Sequence, residues 1–180
     1  MKIILIGFMS SGKSTIGKIL ADSLNFKFYD IDDIFEERYK ISINDFFEKF
    51  GEPKFRELEH LLLKQTLEED NSVISCGGGT PCFFDNIKLI NNSGVSVYLK
   101  LSSRILFERL NKTKKKRPLL TGLTYDNLEK YISENLIKRE PYYNQAQIII
   151  DIENIQPDDF VKHLKLQFEK NNLILPLINE

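Results

Sequence analysis

The stretch Gly7-Phe8-Met9-Ser10-Ser11-Gly12-Lys13-Ser14, followed by Thr15, carries the most explicit chemistry in this chain. It fits G-x-x-x-x-G-K-[ST], a loop whose successive backbone N–H groups cradle phosphates while the next helix adds partial positive charge at its N-terminus. Lys13 is spaced to reach the β- and γ-phosphates, and the Ser14 hydroxyl to ligate Mg²⁺. The motif specifies a nucleoside triphosphate and leaves the acceptor open, water included. Further along stand Asp30-Ile31-Asp32-Asp33. In an extended segment Asp30 and Asp32 share a face, so one can sit near Mg²⁺ while the other accepts from a substrate hydroxyl. Helix capping is the alternative for either, and Asp33 reads as the cap. Arg56 and Glu59, three apart on a helix, read from pattern alone as a solvated surface pair.

Gly77-Gly78-Gly79 bares three backbone amides, which suits close approach of a phosphate or other ligand, or simply a flexible turn. Many phosphate-loop proteins place an aspartate at the end of the preceding strand. Here Val73-Ile74-Ser75 has none, which leaves Asp30 as the nearest carboxylate for a metal. Cys76 has no base spaced to activate it and reads as a packed residue. The basic run Lys112, Lys114, Lys115, Lys116 and Arg117 is either a solvated stretch or a lid that brings an arginine over the phosphates. His60 and His163 show no metal spacing.

These residues need elements to hold them. Short apolar runs recur at Ile3–Ile6, Phe26–Tyr29, Val73–Ser75, Val95–Leu99 and Gln147–Ile150, with helical patterns between. That alternation predicts an α/β three-layer sandwich, a five-stranded parallel sheet with helices on both faces. Ligands of such sheets bind beyond the carboxyl ends of the strands, where Gly7–Ser14, Asp30–Asp33 and Gly77–Gly79 fall. Helices are predicted after Lys13, from about Lys54 to Glu69 behind Gly51-Glu52-Pro53, at Leu101–Leu110 opened by Ser102 or Ser103, at Tyr125–Arg139, and near Pro157–Lys170. The helix at 54–69 should bury Phe55, Leu58, Leu61, Leu62 and Leu67.

The chain has 180 residues, 42% of them hydrophobic, enough for a single domain with a real core. Its formal net charge of −1 gives no bulk electrostatic case for nucleic acid or a membrane surface. Two cysteines are too few for a disulfide framework or a zinc site. No run approaches transmembrane length, and the chain opens directly into a strand. A cytoplasmic protein is the expectation.

Taken together, Gly7–Thr15, Asp30-Ile31-Asp32, Phe55-Arg56 with Glu59 and Gly77–Gly79, and Arg117-Pro118-Leu119-Leu120 with Arg139-Glu140-Pro141-Tyr142-Tyr143 resemble the shikimate kinases. These belong to the nucleoside-monophosphate-kinase-like P-loop enzymes, and the resemblance runs in order from about residue 2 to Pro157. It implies ATP-dependent phosphorylation of shikimate at its 3-hydroxyl, on the route to aromatic amino acids, with one Mg²⁺ accompanying ATP. It implies ATP contacts from Gly7, Ser10, Ser11, Gly12, Lys13, Ser14, Thr15, Arg109, Arg117 and Asn154. Asp30 would support the metal through water. Asp32 would bind the substrate hydroxyls and act as base or orienter. Arg56 and Arg139 would clamp the substrate carboxylate beside Gly77, Gly78 and Gly79, with Lys13, Asp32 and Arg117 catalytic. It further implies a substrate-binding helical segment at about 31–62, a lid at about 111–124, and a monomer. Ser10 departs from the pattern, standing where these kinases often carry glycine. A gluconate-type or nucleotide kinase is the nearest competing enzyme. A nucleotide switch is the competing non-enzyme, although Asn111-Lys112-Thr113-Lys114 lacks the aspartate of a guanine motif.

Overall fold

Ile3, Ile4, Leu5 and Ile6 are completely buried, as a strand covered on both faces must be. They form β1 (Lys2–Ile6) in the computed structural model, which describes residues 1–112 and 125–175. The other strands are β2 (Lys27–Asp30), β3 (Ser72–Ser75), β4 (Val95–Lys100) and β5 (Ile148–Asp151). All pairings are parallel, in the order β2-β3-β1-β4-β5. The chain winds outward from β1 to one edge, then returns to β4 on its other side. The carboxyl ends of β2, β3 and β1 are therefore neighbours, with Asp30 in register with Ser75 and Ser75 with Leu5.

The faces are covered by different helices. Gly17 on α1 (Lys13–Leu24) lies so close to the sheet that a Cβ there would stand 2.4 Å from Phe28 and 3.3 Å from Leu5. Ile4 points the other way, toward Gly94 at the end of α4 (Asn86–Ser93). The C-terminal α7 (Phe160–Lys170), entered through a 3₁₀ turn at Pro157–Asp159, packs on α1 and buries Phe160, Leu164 and Phe168.

Between β2 and β3 the chain makes α2 (Ile31–Tyr39) and α3 (Ile43–Thr66). These carry a small core of their own: Phe35, Phe46, Phe55 and Leu62, separate from the main cluster. Phe35 and Phe46 meet edge to face at 5.0 Å. The predicted break at Gly51 is present. Gly51 has φ 79° and ψ 166°, so α3 is two helical pieces joined at a kink, a conformation glycine adopts readily. The second piece ends at Thr66 rather than Glu69, and Leu61 is exposed rather than packed.

α5 (Ser103–Lys112) starts behind Ser102, whose carbonyl accepts from Leu106. α6 (Tyr125–Tyr143) outruns its predicted end at Arg139 by a further turn, through Pro141. The reason is tertiary. Tyr143 is completely buried, and packing of that kind outweighs the roughly 3 kcal/mol a helix-interior proline costs. Among the described residues no helix is long and apolar enough to cross a membrane.

Candidate active site

The glycine loop between β1 and α1 is shaped by three backbone positions of positive φ: Gly7 at 145°, Ser10 at 62° and Gly12 at 97°. A Cβ on Gly7 would meet the Leu99 carbonyl at 2.8 Å, so only glycine fits. Ser10 stands in the left-handed region at a cost of about 1–2 kcal/mol, which gives the physical reason glycine is common there. Gly12 caps α1 without a side chain, so the first amides of the helix have no partner within it. Lys13 is folded back over the loop, its Nζ donating to the Gly7 and Phe8 carbonyls at 3.0 and 2.9 Å. A cavity of about 350 Å³ opens above, lined by Ser10, Gly12, Lys13, Ser14, Thr15, Asp30, Asp32 and Arg109. Arg109, on α5, donates to the Ser11 carbonyl at 3.3 Å. The Ser11 hydroxyl is buried and has no hydrogen-bond partner among the described residues.

The aspartates depart from the sequence reading in two ways. Asp30 ends β2 and Asp32 is already in the first turn of α2, so they do not share an extended face. The cap is Asp30, not Asp33: its Oδ1 accepts from the Asp32 amide at 3.0 Å. Its Oδ2 accepts from the Ser14 hydroxyl at 2.5 Å. One carboxylate thus caps a helix and touches the phosphate-loop serine. Asp33 sits in the first turn instead, where an acidic side chain suits the helix dipole.

A smaller cavity of about 70 Å³ adjoins the first, and the expected substrate residues line it: Asp32, Arg56, Gly77, Gly78, Gly79 and Arg139. Here the surface-pair reading of Arg56 and Glu59 is corrected. Both are buried, and their guanidinium and carboxylate meet at 2.8 Å. Periodicity placed them on one face but could not show that the 3₁₀ turn Thr80–Cys82 covers it. Thr80 donates to the other oxygen of Glu59 at 2.6 Å. Glu52 accepts from Nη2 and Nε of Arg56 at 2.8 and 3.1 Å. Burial works against the charge on Arg56, but Glu59 and then Glu52 outweigh it and hold the guanidinium firmly protonated. The rings of Phe83, Phe55 and Phe47 surround the same cation at 4.3, 5.0 and 5.9 Å.

Arg139 is held differently. It is only 9% exposed, lies 5.2 Å from the Phe8 ring centroid, and donates to the Gly78 carbonyl at 3.3 Å. Among the described residues no carboxylate forms an ion pair with it. Tyr143 also donates to the Gly78 carbonyl.

The glycines are tightly fitted. A Cβ on Gly77 would meet Asp32 and Glu59 at 2.8 Å, one on Gly78 the Met9 amide nitrogen at 2.9 Å, and one on Gly79 the Arg56 guanidinium at 2.5 Å. These are close approaches and not a flexible turn. Cys76 is buried as read, and burial followed by the Glu59 charge pushes its thiol up.

Asp32, Met9 and Gly78 line both cavities, so the two spaces meet at these residues. Met9, like Phe8, is a variable position of the loop motif, and nothing in the spacing marks either. Glu52 and Tyr143 stand in the stretches Gly51-Glu52-Pro53 and Arg139–Tyr143, but nothing in the pattern gives either a role at the site. Arg117 and nearly all of the expected lid at 111–124 lie outside the described residues. Asn154 is exposed in the turn after β5 and lines neither cavity.

The shikimate kinase family model matches residues 9–168. A shikimate kinase of Azobacteroides pseudotrichonymphae genomovar. CFP2 is 45% identical over 164 residues, covering 91% of this chain and 96% of the relative. The crystal structure of the shikimate kinase from Bacteroides thetaiotaomicron superposes with a TM-score of 0.88 at 40% identity, over 94% of this chain and 98% of that one. The shikimate kinase from Acinetobacter baumannii, solved in complex with shikimate, superposes with a TM-score of 0.86 at 30% identity, over 94% and 93%.

Proposed function

The chain belongs to the shikimate kinase family and carries out ATP-dependent phosphorylation of shikimate at its 3-hydroxyl, and we propose that the two cavities divide this work. In this reading the larger one takes the triphosphate. Gly7, Ser10, Ser11, Gly12 and Thr15 shape or line the loop, its amides and the N-terminus of α1 bind phosphate oxygens, and Lys13 moves from the Gly7 and Phe8 carbonyls to the β- and γ-phosphates. Arg109 flanks the nucleotide. The smaller cavity takes shikimate, with its carboxylate on Arg139 and Arg56 and its ring against Gly77, Gly78 and Gly79. Asp32, at the junction, orients the attacking hydroxyl and takes its proton. Such a reaction needs positioning and screening of charge more than covalent help.

Mg²⁺ fits the residues present. Ser14 and Asp30 offer hard oxygens in direct contact, and among the described residues no group of three or more acidic, histidine or cysteine side chains forms a metal cage. That suits an ion held by one or two protein oxygens together with phosphate and water. When bound, Mg²⁺ would neutralise charge on the phosphate oxygens. In this reading residues 31–62, with their separate aromatic core, are the substrate-binding segment, and Arg117, which lies outside the described residues, would serve the transferring phosphoryl group as part of a lid at 111–124. The enzyme acts as a cytoplasmic monomer.

The observation that carries this reading is Arg139, a nearly buried cation lining the smaller cavity with neutral partners only among the described residues. Burying a charge without an opposite one is costly, and an anionic substrate supplies the missing partner. The test is acceptor-dependent ADP release with shikimate and with shikimic acid amide. Shikimate should turn over, and the amide should lose about ten-fold or more in kcat/KM, as one charge-assisted hydrogen bond implies. Equal use of the two would overturn the carboxylate assignment.

A further inference from the structure

We propose that Phe8, a variable position inside the phosphate loop, is a positioning residue for Arg139 and thereby sets the preference for an acid in the second cavity. The inference rests on the reading of Arg139 as the substrate-carboxylate donor. Phe8 is 1% exposed, and its ring centroid stands 5.2 Å from the Arg139 guanidinium carbon. That is within the range where an aromatic face attracts a cation. Arg139 is also tied to the glycine segment through the Gly78 carbonyl at 3.3 Å. The two supports belong to one rigid corner, since a Cβ on Gly78 would lie 2.9 Å from the Met9 nitrogen and 3.5 Å from the Phe8 carbonyl carbon.

The choice of support has a chemical consequence. A carboxylate would fix the guanidinium but also offset much of its charge and occupy donors, as Glu59 and Glu52 do for Arg56. An aromatic ring fixes its plane and leaves both its charge and most of its donors available. Guanidinium groups take this role well because they are flat, delocalised and weakly hydrated. Phe8 therefore holds Arg139 in place while keeping it hungry for an anion. The same residue's carbonyl accepts from Lys13, so one loop position touches both the phosphate lysine and the acid-binding arginine.

The test is a double-mutant cycle read in shikimate kinetics at saturating ATP. Phe8→Leu removes the π face and keeps an apolar side chain; Phe8→Met, which is more adaptable, is run beside it in case the leucine disturbs folding. Circular dichroism and ATP binding without shikimate are measured on every variant. Phe8→Leu should raise KM for shikimate by about three- to ten-fold, the scale of a desolvated cation–π contact, with a smaller change in kcat. The penalty should be smaller for shikimic acid amide, and it should vanish in an Arg139→Ala background, where the ring has nothing to position. An unchanged KM in both folded variants, or an equal penalty with and without Arg139, would overturn the role of Phe8 and reduce it to packing. If Arg139→Ala alone leaves shikimate KM unchanged, the carboxylate assignment itself falls, and the role of Phe8 with it.

Discussion

Arg56 and Arg139 face one cavity but are secured by opposite means, and single substitutions should separate them. Arg56 is buried against Glu59, which is 1% exposed. Arg56→Ala leaves that carboxylate buried and unpaired, which typically costs about 3–5 kcal/mol. Arg139→Ala removes a cation that has no acidic partner among the described residues, so its loss should weaken shikimate binding with little change in stability. Urea denaturation beside shikimate kinetics tests this. A stable Arg56→Ala, or a strongly destabilised Arg139→Ala, would contradict the assigned division. Asp30 poses a similar question because it has two duties. Asparagine caps helices nearly as well as aspartate, whereas alanine loses about 1 kcal/mol. Asp30→Asn should therefore keep its denaturation midpoint yet need more Mg²⁺ for half-maximal turnover, while Asp30→Ala loses on both counts. Unchanged Mg²⁺ dependence in Asp30→Asn would exclude Asp30 from the metal site. That Asp30, and not Asp33, is the cap could not be read from the sequence. The answer turns on where β2 stops, and one isoleucine among three aspartates does not fix that point.

At the scale of elements, the site is a seam between the phosphate loop and the glycine segment after β3. The two neighbouring glycines there have different contacts and should fail differently. A methyl group at Gly78 would press on the Met9 backbone, whereas one at Gly79 would press only on the Arg56 guanidinium, a side chain. Gly78→Ala should then push the segments apart and weaken both ATP and shikimate. Gly79→Ala should displace Arg56 and raise shikimate KM by about ten-fold, on the scale of one lost charge-assisted hydrogen bond, leaving ATP binding intact. Isothermal titration with each ligand separately distinguishes them. A selective shikimate defect in Gly78→Ala would mean that the seam does not couple the two cavities. The glycine run was legible as unusual, and its chemistry only by resemblance, because three glycines specify bare backbone without saying what approaches it. The end of α6 was not legible. Pro141 argues for a stop, and only the burial of Tyr143 against Tyr98 at 5.0 Å overrides it.

On the scale of the whole molecule, the architecture was readable for a simple reason. Central parallel strands are apolar on both faces, so Ile3–Ile6 and Val95–Leu99 announce themselves, and a doubly covered parallel sheet puts its ligand sites at one edge. What stayed silent were the contacts that only folding creates, such as Phe8 with Arg139 from the far end of α6, or Arg56 sealed under Thr80–Cys82. Burial of weak acids has a further consequence spread over the entire fold. The Cys76 thiol is pushed up by burial and then by Glu59, and the Cys82 thiol is pushed up to about 11, also chiefly by burial. Burial likewise raises Tyr98 and Tyr143. In the unfolded chain thiols ionise near about pH 8.5 and tyrosines near about pH 10. Above the lower of these the unfolded state has released protons that the native state still holds, so stability falls as pH rises. The loss is absent below the unfolded thiol range, begins at about pH 8.5, steepens near about pH 10, and ends for each group only where its raised folded value is passed. Each thiol that stays protonated in the native state contributes about 1.4 kcal/mol of that loss per pH unit. Denaturation midpoints should therefore drop between about pH 8.5 and 10, and Cys76→Ala should flatten the drop by about that amount per unit, whatever its own effect at neutral pH. A slope identical to that of the parent protein would show that Cys76 ionises as readily in the fold as out of it, and that burial does not control its proton.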